Sequence, residues 1–168
     1  SITSLKSPKI KISVIENNLR RIHELKKINF TLKNKNISVN YYYKASSLFG
    51  SFDLLIMSTS SQNRYKILKK TLNFFDIKYL IIEKVAFQSI KEFKFATDFL
   101  NQKQIKTWIN CPRRTFESYK KIKKLIKNNQ FVYVTGGNWS LSSNAIHFLD
   151  LFQYLFDSKK IKLIESNL

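Results

Sequence analysis

The chain has 168 residues, a formal net charge of +19, 43% hydrophobic and 14% aromatic residues, and one cysteine. That apolar content excludes an intrinsically disordered chain, and the length allows one sizeable core or one domain with part of another. The lone Cys111 excludes an internal disulfide and a cysteine-only metal site, which favours a reducing, cytoplasmic setting.

No span approaches the roughly 18 uncharged apolar residues of a membrane helix, and the longest apolar stretch, residues 145–156, is interrupted by His147 and Asp150. The charge excess is nearly all lysine, spread along the chain among abundant Asn, Ile, Phe and Tyr, the mixture that AT-rich codons favour. In the densest run, Tyr119, Ile122 and Ile126 share one helical face and most lysines take the other, as in an ordinary surface helix. No zinc-finger spacing or arginine-rich arm accompanies it, so a nucleic-acid partner is not expected, although a basic nucleic-acid-binding domain stays open as a third reading.

Residues 9–16 carry Ile10, Ile12, Val14 and Ile15, a β-branched run suited to a buried parallel strand. Residues 18–28 place Leu19, Ile22 and Leu25 at helical spacing behind Asn17 or Asn18 as cap. Strands are predicted at 37–43 and 53–59, then a helix at 61–75 in which Leu68, Leu72 and Phe75 share a face. A strand at 77–84, a helix at 89–102 and a strand at 105–110 follow. Repeated strand-helix-strand units require parallel pairing with right-handed crossovers, a doubly wound α/β arrangement of Rossmann type.

After Pro112 the pattern shifts to a basic helix at 116–128, a strand at 130–135, a turn at Gly136 and Gly137, a helix at 142–156 and a short strand at 160–165. The expected division is residues 1–112 as a nucleotide-binding domain lacking its first strand, and 113–168 as the start of a C-terminal α/β domain with an antiparallel sheet.

The apolar run Tyr79-Leu80-Ile81-Ile82 ends in Glu83 and Lys84, and an open parallel sheet presents its ligands beyond the carboxyl ends of its strands. The plainer alternative is a solvated strand end. Glu16 closes its own strand, where an acidic side chain accepts hydrogen bonds from ribose hydroxyls, while Arg20 and Arg21 suit a 2′-phosphate; NAD and NADP therefore both stay open. Ser58-Thr59-Ser60-Ser61 leads into a helix, either as a nucleotide contact or as a simple N-cap. His147 and Asp150 lie three apart on one helical face, where a histidine is either an acid/base near neutral pH or a hydrogen-bonded core residue.

Thr59 through Arg64, the Glu83-Lys84 strand end, Arg113 and Arg114, and Asn144-Ala145-Ile146-His147-Phe148-Leu149-Asp150 come in an order and spacing that resembles the Gfo/Idh/MocA oxidoreductases. The resemblance implies an N-terminal Rossmann domain joined to a C-terminal sheet domain, and hydride transfer between NAD or NADP and a sugar, sugar-nucleotide or related polyol. It implies Lys84, His147 and Asp150 as catalytic, Glu16, Thr59, Ser60, Arg64 and Glu83 at the cofactor, Arg113, Arg114 and Asn144 at the substrate, no metal, and a homo-oligomer in the whole protein. A non-catalytic binding or regulatory relative of the same fold is the alternative. Three departures stand out: Val85 replaces the proline of the family's Glu-Lys-Pro motif, Ser143 stands where an aspartate usually precedes the histidine by four, and no G-x-G-x-x-G occurs. The expectation is an internal piece of an oxidoreductase roughly double this length, which by itself is inactive and holds NAD(P) poorly.

Overall fold

The computed structural model describes residues 9–29, 36–126, 131–138, 140–158, 160–162 and 164. By packing, the chain divides into two compact units, Ser1–Phe52 with Ile67–Ile77, and Asp53–Lys66 with Lys78–Leu168. The five strands among the described residues all belong to parallel or neighbouring pairs of a mixed α/β protein, as the alternating pattern requires.

In the first unit, β1 (Ile10–Ile15) pairs in parallel with β2 (Ile37–Tyr42), Ile12 opposite Val39 and Ile15 opposite Tyr42. The crossover is α1 (Leu19–Asn29), capped by Asn18, whose Oδ1 accepts from the backbone of Arg20 at 3.0 Å and Arg21 at 3.3 Å. Ile22 is the side chain that α1 buries, and the Tyr41 hydroxyl ties β2 to the helix through Leu25 O at 3.3 Å. Contrary to the buried strand expected, Ile10, Ile12 and Ile15 are exposed, in a sheet that has two strands among the described residues. Leu48, Leu68, Leu72, Phe75 and Ile77 form the rest of this unit's core, with the Phe52 and Phe75 rings edge to face at 4.9 Å. Gly50, at φ +94°, turns the chain into β3 and accepts a hydrogen bond from Asp76 N, a conformation that side chains rarely adopt.

The second unit is built on the sheet β3-β4-β5, comprising β3 (Ser51–Met57), β4 (Asp76–Ile82) and β5 (Lys106–Ile109). β4 and β5 run parallel with Leu80 opposite Thr107 and Ile82 opposite Ile109. Leu80 and Ile82 are fully buried. The crossover between them, α3 (Ile90–Gln102), starts at Ser89, whose hydroxyl accepts from Glu92 N at 3.1 Å, and it buries Ala96 and Leu100. It stops where Gln104 takes φ 57° and Ile105 N reaches back to Leu100 O.

The helix predicted from residue 61 to 75 is shorter in the structure, α2 (Arg64–Thr71), because Asn63 at φ 57° breaks helical continuity just before it. Beyond β5, residues Pro112–Thr115 form a 3₁₀ turn, followed by α4 (Glu117–Leu125) and α5 (Leu141–Leu155), which buries Leu151 and Leu155. The basic run does more than face solvent. Lys123 Nζ donates to Tyr154 O at 2.6 Å and to Asp157, and sits 4.4 Å from the Tyr154 ring, so it fastens α4 to α5. The strand expected at 130–135 does not form over the described residues 131–135, where Phe131 and Tyr133 are exposed. Of the strand expected at 160–165, the described residues 160–162 and 164 are irregular.

Candidate functional site

The carboxyl ends of β4 and β5 and the first turns of α5 bring together most of the residues singled out in the sequence. Glu83 follows β4 directly; its Oε2 accepts from Asn110 Nδ2 at 2.8 Å and its Oε1 from the Lys84 backbone N–H at 3.0 Å. Asn110, just past β5, was not anticipated, although the strand-end argument applied to Glu83 applies to it equally. Lys84 reaches across to α5, where its Nζ donates to Ser143 O at 3.0 Å and to Asn144 Oδ1 at 3.1 Å. Two of the ammonium's three hydrogens are thus placed, leaving one donor without a partner among the described residues.

His147 lies one helical turn beyond Ser143. Its ring is half-buried, and its Nδ1 is sealed from solvent without a hydrogen-bond partner among the described residues. Burial, followed by the charges of Lys84 and Arg113, pushes its pKa below the ordinary value, against a smaller upward pull from Glu83 and Asp150. An imidazole held neutral beside a lysine suits proton exchange with a hydroxyl.

Asp150 gives both carboxylate oxygens to Arg114, with Nε 2.9 Å from Oδ2 and Nη2 on Oδ1. That bond is the main reason the Arg114 pKa is raised. Arg113 lies 4.2 Å over the Phe148 ring and donates toward the Tyr119 hydroxyl at 3.4 Å. The two arginines expected at the substrate therefore lock the 3₁₀ turn onto α4 and α5. Cys111 is half-buried, with its thiol pKa raised first by burial and then by Asp150, so it is not an activated nucleophile.

Arg64 is the other residue whose setting the sequence did not reveal. It is 1% exposed and turns its donors inward: Nη1 meets Glu83 O and Val85 O at 2.5 Å and Ala86 O at 2.9 Å, Nη2 meets Thr59 O, and Nε lies 3.4 Å from Thr59 Oγ1. Burial lowers its pKa and Glu83 partly offsets the shift. Thr59 and Ser60 are exposed in the loop before α2, five and four residues ahead of its first turn, so neither is the helix cap.

A dinucleotide needs an acidic ribose acceptor and a cradle of backbone amides for its pyrophosphate. Glu16 ends β1 as the first requires, and its Oε1 accepts from Asn18 N at 2.8 Å while Oε2 faces Arg21 at 3.9 Å. The sequence has no G-x-G-x-x-G loop to supply the second. Gly50 and Gly137 each face open space, with no atom within 4 Å of where a Cβ would stand, so no neighbouring chain in the structure requires a glycine at either position. Among the described residues no group of three His, Cys, Asp or Glu side chains is placed to hold a metal, and no helix is long and apolar enough to cross a membrane.

Parallel strands with a helical crossover and polar residues gathered at their carboxyl ends define an α/β fold of Rossmann type. Two solved structures share it: the super-repressor mutant of Gal80p from Saccharomyces cerevisiae, at TM-score 0.63 and 14% identity over 87% of this chain, and the transcriptional regulator Gal80p from Kluyveromyces lactis, at 0.64 and 14% over 88%. The chain spans 44% of the length of each, and the likeness is one of fold. No protein-family model matches the sequence, and no curated protein matches it.

Proposed function

We propose that the whole protein is an oxidoreductase acting on a sugar, sugar-nucleotide or related polyol with NAD or NADP, and that the cluster around Lys84 is its polyol site. The observation that supports this is a strand-end lysine bonded to the first turn of α5, one turn before a helix histidine whose buried Nδ1 lacks a partner among the described residues. Lys84 donates to the reacting oxygen and stabilises negative charge on it as the hydroxyl proton leaves. His147 takes that proton, its imidazole kept neutral by burial and by Lys84. Asn144 holds Lys84 on one side and Glu83 fixes its backbone. The test follows nicotinamide absorbance with the whole protein across a panel of polyols, with and without Lys84→Ala. Turnover that depends on Lys84 supports the reading, and equal turnover in both proteins refutes it.

A second reading has its own support. Asp150, the carboxylate on the histidine's face, is engaged on both oxygens by Arg114, and Ser143 supplies no carboxylate one turn earlier, so the proton relay from His147 is short of a base. One of the two fold neighbours is described as a transcriptional regulator. A binding relative without catalysis would show saturable polyol or nucleotide binding with no turnover on any member of the panel.

A further inference from the structure

The geometry points to Arg64 as the positioning residue for Lys84, a role distinct from the nucleotide contact that its place in the sequence suggests. A guanidinium buried to 1% exposure is seldom found without a carboxylate against it, because desolvation of its charge is costly. Here no carboxylate oxygen bonds it among the described residues, and the Glu83 carboxylate is committed to Asn110 and to the Lys84 backbone. Arg64 instead satisfies carbonyls, and their identity is informative. Glu83 O precedes Lys84 in the chain, while Val85 O and Ala86 O follow it, so one rigid fork grips the backbone on both sides of the lysine. The same side chain binds Thr59 O, which joins the loop after β3 to the loop after β4. With its backbone held, Lys84 can direct Nζ at Ser143 O and Asn144 Oδ1. A lysine at position 64 keeps the charge but has three tetrahedral donors that cannot span this set of carbonyls.

This rests on Lys84 as the site's working amine, but its test needs no turnover. The whole protein is treated with an amine-reactive acylating reagent at limiting dose, and each lysine's rate is read by peptide mass mapping. In the unaltered protein Lys84 should label more slowly than the exposed Lys78. In Arg64→Lys, with circular dichroism unchanged, Lys84 should label about tenfold faster, roughly what one charged hydrogen bond is worth, while Lys78 stays constant. Equal Lys84 rates in the two folded proteins overturn the inference. Should Arg64→Lys fail to fold, the unaltered protein decides: Lys84 labelling as fast as Lys78 overturns it, and protection reversed by Asn144→Ala supports it. Failure of the oxidoreductase reading would leave these rates unaffected, so the two ideas fail separately.

Discussion

The Lys84 ammonium is 3.1 Å from Asn144 Oδ1, a bond between residues sixty positions apart that joins the end of β4 to the first turn of α5. Lys84→Ala removes the donor and leaves Glu83, Arg64 and His147 in place. If the cluster is catalytic in the whole protein, kcat should fall by about 10²- to 10⁴-fold, while the dissociation constant for the dinucleotide changes by less than about threefold. Steady-state kinetics alongside direct cofactor titration separate the two effects.

Asn110 and Glu83 form a half-buried pair at 2.8 Å across the ends of β5 and β4. Asn110→Ala leaves the Glu83 carboxylate without its side-chain donor, at a cost of about 1–3 kcal/mol. Urea unfolding should show a lower midpoint with an unchanged slope, since the surface exposed on unfolding is the same. An unchanged midpoint would mean that water replaces the amide without loss.

How much of this was legible in the sequence depends on whether the signal was local. β4 and its terminal Glu83-Lys84 were, because an apolar run ended by charges carries its meaning in consecutive residues. The helix that follows was legible to within one residue, expected at 89–102 and found at Ile90–Gln102, though Ser89 proves to be its cap and not its first residue. The partner of Lys84 was not, since half of it is the Ser143 carbonyl, a group that every residue possesses. Arg64 stood in a nucleotide-loop pattern, and nothing in that pattern announces that four carbonyls from two loops enclose it. Residues 131–135 show the limit most plainly. Phe131, Val132, Tyr133 and Val134 have strand propensity, but a strand needs a partner, and none pairs with them among the described residues.

The absence of a G-x-G-x-x-G loop from the sequence carries its own prediction. Residues 1–168 alone should bind NAD or NADP with a dissociation constant weaker than about 1 mM, less than roughly 4 kcal/mol. Glu16 offers a ribose one acceptor, which does not replace the amides and helix N-terminus that hold a pyrophosphate. Isothermal titration measures this directly, and micromolar binding would show that other residues supply the cradle.

His147 should give stability a dependence on pH. Its folded-state pKa lies below the ordinary 6.5, chiefly through burial and then through Lys84 and Arg113. A histidine whose pKa is depressed on folding binds protons more readily when unfolded, so acid favours the unfolded chain. Its contribution is therefore fully present above about pH 6.5 and declines as pH falls from there through the folded pKa, below which both states are protonated. Urea midpoints measured between neutrality and pH 5 should fall in the unaltered protein and flatten in His147→Gln, which keeps a polar side chain but cannot titrate. Removing Asp150's charge with Asp150→Asn should depress the His147 pKa further, because that carboxylate pulls it upward. Proton NMR of the imidazole reads this shift, and a rise in place of a fall would mean that release of Arg114 changes the surroundings of His147 more than the lost charge does.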